Sequence, residues 1–113
     1  MTTTTQSTDL KAAILSVLKG HEGAENSITA VEIGRLVGLG TLRNTWVVRE
    51  RINELVHTDK EVICANDKGY WMSDKYVEVK ECHDDLRNRG LKVLEHASDL
   101  LEAFNQKEQA KLL

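Results

Sequence analysis

Between Thr41 and Arg49 the chain concentrates side chains that can read nucleic acid: Thr41, Arg43, Asn44 and Arg49, with the indole of Trp46 among them. A guanidinium can pair two donors with O6 and N7 of guanine, and a carboxamide can pair with N6 and N7 of adenine. On a helix whose inward stripe is Thr45, Val48, Ile52 and Leu55, Arg43 and Trp46 point outward with Glu50 and Asn53. Asn44 and Thr45 lie closer to the core side. Arg43 is therefore the foremost candidate for a base contact, whereas Asn44 divides between a base and a hydrogen bond within the domain. Arg49, on the flank, reaches either phosphate or a neighbouring carboxylate. Arg51, nearer the core, is expected in an ion pair with Glu50, Glu54 or a carboxylate of the first helix. Trp46 either stacks in an interface or tucks under a later hairpin as core. Arg35 and Lys68 are placed to touch backbone phosphate, with a solvated turn residue the equal alternative for Lys68.

Other chemistries find no support in the pattern. Gly38-Leu39-Gly40 neither follows a strand nor ends in lysine-serine, so it is no phosphate loop, and there is no Gly-x-Ser-x-Gly elbow. Asp84 and Asp85 are adjacent, and on a helix their side chains diverge by about 100°, a poor acid–base pair. Cys82-His83, with His57 and Cys64 elsewhere, lacks the spacing of metal ligands. Two cysteines without a secretion signal are expected as free thiols. The expectation is a non-enzyme with no cofactor and no metal.

The elements that would carry these residues are legible. A first helix is expected from Thr8 or Asp9 to about Lys19, with Leu10, Ala13, Ile14, Val17 and Leu18 on one stripe and Gly20 as its stop. Residues 21–27 read as an exposed loop, and Ser27-Ile28 as a minimal strand with Ile28 inward. Thr29 and Glu32 have the spacing of a capping box. Behind them Ala30, Ile33, Leu36 and Val37 form one face of a short helix. Gly38 and Gly40 can take positive φ and turn the chain sharply. Thr41 then caps a second helix. Glu61–Ala65 and Tyr70–Met72 are rich in strand formers, joined by a four-residue turn, Asn66–Gly69, where positive φ is expected. An isolated hairpin is marginal in water, so this one must pack on something, with Tyr70 or Trp71 as core.

From about Ser73 to Phe104 the only breaker is Gly90. Val79, Cys82, Leu86, Val93, Ala97, Leu100 and Phe104 recur at helical steps, and Leu94 and Leu101 widen the stripe. Steps of four and four around Leu86 depart from a strict heptad. About 30 helical residues reach roughly 45 Å, more than a small domain's width. An apolar stripe with nothing of its own left to cover points to a dimer through Leu86, Val93, Leu94, Ala97, Leu100, Leu101 and Phe104. The expected organisation is a disordered lead (1–8), a helix-turn-helix with a hairpin (9–73), a long dimerisation helix (74–106) and a frayed tail (107–113).

Helix, helix, helix and hairpin is the order of a winged helix. The sequence resembles the winged helix-turn-helix proteins, and most of all small phage-type members with a long C-terminal helix. The likeness lies in VVRERINEL (47–55), in KGYWMS (68–73), and in Leu86, Arg87 and Arg89 followed by aliphatic residues to Phe104. It implies a mainly α fold with a small β-hairpin wing, and binding of double-stranded DNA as a homodimer, in transcriptional regulation or phage-type DNA transactions. The charge tempers this. The chain carries -3 overall, five basic against four acidic residues over 28–60, and six against eight over 76–113. A dimer can be acidic overall if its contact face is basic. The rival expectation is a winged helix that binds a partner protein through acidic surface and an exposed Trp46. With no apolar run near the roughly 20 residues needed to span a bilayer and no basic-then-apolar leader, a cytoplasmic protein without membrane contact is expected.

Overall fold

Helix formation follows the apolar steps and the absence of proline, and the computed structural model describes residues 3–39 and 45–112. Helix α1 spans Thr3–Lys19, α2 Ala30–Leu36, α3 Thr45–His57 and α4 Tyr76–Leu112. Strands β1 (Ile63–Asn66) and β2 (Gly69–Met72) stand between α3 and α4. The molecule is thus mainly helical, with one small antiparallel hairpin and a long C-terminal helix, as the sequence predicts. The chain divides into two units, Met1–Cys82 and His83–Leu113.

In the first unit three helices enclose one aliphatic core. Ile14 and Leu18 of α1 meet Ile28, Ala30 and Ile33 around α2, and Val48, Ile52 and Leu55 of α3. All eight are buried, which is what sets each helix's rotation: each turns its apolar stripe inward. The N-cap of α2 is Thr29, whose hydroxyl accepts from the Glu32 amide at 3.1 Å. The reciprocal half of the expected capping box is diverted, because the Glu32 carboxylate pairs with Arg35. Leu36 departs from the expected inward face and is exposed, while Gly34, one turn from Ala30, is buried. The chain leaves α2 through Gly38 at φ +90°, and the Leu39 amide bonds to the Gly34 carbonyl at 2.8 Å. Gly38 thus turns the chain as expected, whereas Gly40, the other glycine of the expected turn, lies outside the described residues.

Several boundaries differ from expectation. Helix α1 begins at Thr3 rather than at Thr8 or Asp9, so the expected lead is helical from its third residue. No glycine or proline interrupts Thr3 to Asp9, so the helix extends through threonine and serine although both are weak helix formers. At the other end α4 continues to Leu112, through the expected frayed tail. Gln106, Lys107, Glu108, Gln109, Ala110 and Lys111 are all good helix formers, and Lys111 pairs with Glu108 at 3.2 Å.

The loop at 21–27 is more than an exposed connection. It contains a 3-10 turn, Ala24–Asn26, and Gly23 is buried at φ +86°. Its backbone joins the hairpin: Gly23 donates to the Met72 carbonyl at 3.0 Å and Met72 donates to His21 at 2.9 Å. One step on, Ile28 and Tyr70 exchange both backbone hydrogen bonds at 2.8 and 2.7 Å. The hairpin register pairs Ile63 with Met72, Cys64 with Trp71, Ala65 with Tyr70 and Asn66 with Gly69. Its loop is therefore two residues, Asp67-Lys68, and positive φ falls on Gly69 alone of the turn, at +143°.

Strand alternation gives the hairpin two covered faces. Ile63, Tyr70 and Met72 pack against the helical core, whereas Cys64 and Trp71 are buried on the other side. There the Trp71 indole donates to Glu78, on the first turn of α4, at 3.2 Å. Both faces of a marginal element are thereby occupied.

Candidate nucleic-acid interface

Burying Val48, Ile52 and Leu55 forces the opposite face of α3 outward. Trp46, Arg49, Glu50 and Asn53 are all exposed there. Trp46 is 61% exposed, which decides between the two alternatives open to it: the indole faces solvent and is not core under the hairpin. A bare indole offers a large, rigid, amphipathic contact area of the kind that stacks on a base or fills a partner's pocket.

The cations on and near this face differ in availability. Arg51 is half-buried and its guanidinium donates to Glu54 at 2.7 Å, the intramolecular pair expected of it. Its Nε is buried without a hydrogen-bond partner among the described residues. Arg49 is exposed, with Glu50 beside it in sequence and exposed too. Arg35, exposed on α2, is engaged by Glu32 one turn earlier. Such a surface pair is worth little and can open to a phosphate. Lys68 is exposed at the hairpin tip, where its amide donates to the Asn66 side chain at 2.8 Å, an Asx turn that sets the loop. Thr41, Arg43 and Asn44 lie outside the described residues, as does the expected start of the second helix at Thr41. The described residues therefore bring Trp46 and Arg49 onto one helix face, with Arg35 on α2 and Lys68 on the hairpin as separate exposed positions.

The expected dimerisation residues share a second surface. Leu86, Val93, Leu94, Ala97, Leu100, Leu101 and Phe104 all lie on α4 beyond residue 83 and all are exposed.

One residue of structural weight escaped the sequence reading. The Glu78 carboxylate accepts from the Ser73 hydroxyl at 2.7 Å, from the Trp71 indole at 3.2 Å and from the Ala24 amide at 3.5 Å. Those donors come from the hairpin, the approach to α4 and the loop after α1. The Ser73 hydroxyl, then the Ala24 amide, the Trp71 indole and the nearby Lys75, hold the carboxyl below its usual range against a smaller opposing effect of burial. Ser73 also accepts from the Lys75 amide at 3.1 Å, an ST turn just ahead of α4. The only sequence signal was a serine five residues ahead of an acidic first-turn residue, too common a pattern to single out.

The two cysteines are free thiols. Cys82 donates weakly to the Ala65 carbonyl at 3.7 Å, beside buried Cys64. Burial, then the adjoining Cys82 and Glu78, pushes the Cys64 thiol up to about 12. Among the described residues no group of three or more His, Cys, Asp or Glu side chains is arranged to hold a metal ion. No helix among them is long and apolar enough to cross a membrane. No family model, curated protein or solved structure matches the chain.

Proposed function

We propose that the first unit is a winged helix-turn-helix in which α3 is the recognition helix and the β1–β2 hairpin the wing. In this reading the protein binds double-stranded DNA as a cytoplasmic homodimer, acting in transcription or in phage-type DNA transactions. The observation that carries it is the outer face of α3. It sits behind a glycine turn and a buried stripe, and presents Trp46 and Arg49 to solvent. A recognition helix enters the major groove with its N-terminal end. Thr41, Arg43 and Asn44, which precede α3 in the sequence, are the proposed base-edge contacts, while Arg49, Arg35 and Lys68 serve the backbone.

The test is fluorescence anisotropy on genomic duplex fragments across a salt series. Two copies making about six phosphate contacts lose on the order of a thousandfold in affinity between 50 and 200 mM salt. Arg43→Ala should reduce discrimination between sequences. Lys68→Ala should weaken binding evenly across them. No affinity for any duplex at low salt overturns the proposal.

The exposure of Trp46 also favours a second reading, a winged helix that docks a partner protein through this indole. The chain's net charge of -3 suits it. Trp46→Ala separates the two: under the second reading it abolishes capture of the partner while duplex affinity is absent in wild type and variant alike.

A further inference from the structure

In the unit His83–Leu113 every residue from Asp85 to Leu112 is exposed. Leu86, Val93, Leu94, Leu100, Leu101 and Phe104 each expose 60–68% of their surface. Apolar area on this scale, gathered on one helix, marks an interaction surface. From residue 86 the pattern settles into a heptad: 86, 90, 93, 97, 100 and 104 alternate steps of four and three. Leu86, Val93 and Leu100 take one core position. Gly90, Ala97 and Phe104 take the other.

Building on the homodimer reading above, we propose that this face pairs with the same face of a second copy running antiparallel, about a two-fold axis near residue 95. Two independent features choose this occupant and direction. The first is volume. Antiparallel pairing sets Leu86 against the partner's Phe104, Gly90 against the partner's Leu100 and Val93 against the partner's Ala97, so each small residue meets a larger one. Parallel in-register pairing sets every residue against itself, leaving voids at Gly90 and Ala97 and crowding at Phe104; both faults destabilise a core. A Cβ at Gly90 would meet nothing within 4 Å among the described residues, so the helix itself does not require a glycine in its interior. A close approach by the partner's Leu100 does.

The second feature is charge. Residues 84–94 carry three basic and two acidic side chains, whereas 96–106 carry two acidic and no lysine or arginine. Antiparallel pairing lays these segments on each other, and parallel pairing lays like on like. In the antiparallel rod the two copies of residue 83 stand about 36 Å apart along the axis, at 1.5 Å per residue.

Cross-linking of full-length Leu86→Cys and Phe104→Cys tests the direction. Each variant is oxidised alone and after mixing and subunit exchange, with wild type as the background for Cys64 and Cys82. Mixing should produce a disulfide-linked 86–104 dimer, identified by peptide mass, in most of the protein able to form it. Each variant alone should stay at the wild-type background, because its two cysteines lie about 27 Å apart along the rod. Cross-linking of each variant with itself overturns the antiparallel arrangement, as does a dimer that forms no 86–104 link. Sedimentation of the wild type under the same conditions distinguishes the failures: a monomer there overturns the homodimer reading itself, and a dimer confines the failure to the direction.

Discussion

Replacing Gly69 by alanine probes how the hairpin is held to the helical core. Gly69 sits at φ +143°, and a Cβ there would lie 2.4 Å from the Ile28 carbonyl oxygen and 2.6 Å from its carbon. Ordinary contacts between such atoms are about 3.5 Å, so the two backbones must separate by about 1 Å. The clash is with backbone, which cannot swing aside as a side chain would. Separation strains the two bonds exchanged by Ile28 and Tyr70, each worth about 0.5–1.5 kcal/mol. It also loosens Ile28, which is buried in the core. Holding a non-glycine residue at this φ adds about 1–3 kcal/mol. The expected loss is about 3–5 kcal/mol, a large part of the roughly 5–15 kcal/mol that stabilises a typical domain. Urea unfolding followed by far-ultraviolet circular dichroism measures it. Gly38→Ala is the control, because Gly38 has φ +90° but a Cβ there meets nothing within 4 Å among the described residues, which leaves backbone strain of about 1–2 kcal/mol. If Gly69→Ala is no more destabilising than Gly38→Ala, the close approach of the hairpin to Ile28 is refuted.

Leu18→Ala removes a fully buried side chain from the same core and should cost about 2–5 kcal/mol by urea titration; a loss below 1 kcal/mol would contradict its placement. Glu78, held below its ordinary value chiefly by Ser73, contributes stability that is complete above the unfolded glutamate pKa of about 4.3 and is lost as pH falls through the lower native value. Urea midpoints between pH 6 and 3 should accordingly fall more steeply for wild type than for Glu78→Gln, and equal slopes would rule out the network. Iodoacetamide at pH 8 should leave Cys64 unmodified until urea unfolds the protein, since its thiol is buried and pushed up to about 12; rapid labelling in the native state, located by peptide mass, would show otherwise.

Helical periodicity made most of the fold legible. The stripes Ile14–Leu18 and Val48–Ile52–Leu55 are buried where the three- and four-residue steps placed them, because a helix has one face to hide and the apolar residues choose it. Ile28 is inward and the hairpin strands fall within one or two residues of their expected places. Leu36 departs from the inward face its spacing predicts, for a physical reason. It keeps helical spacing with Ala30 and Ile33, but α2 is only seven residues long and buries Gly34 instead, leaving Leu36 exposed. Of the candidate interface, the outward direction of Trp46 and Arg49 follows from the same stripe that buries Val48.

What the sequence by itself determined is local: helix faces, the glycine turn, the strand formers and the apolar run of the last helix, all encoded by neighbours within a few residues. Tertiary structure alone decided which distant groups meet. Glu78 gathers donors from Ala24, Trp71 and Ser73, segments up to 54 residues away. The loop at 21–27 becomes part of the hairpin's support through Gly23, Met72 and His21. Trp46 and Trp71, the same residue type in two regular elements, end with one in solvent and the other buried. Local spacing sets which way a side chain points. What stands in front of it depends on how the elements pack, because burial is a property of the assembled neighbours.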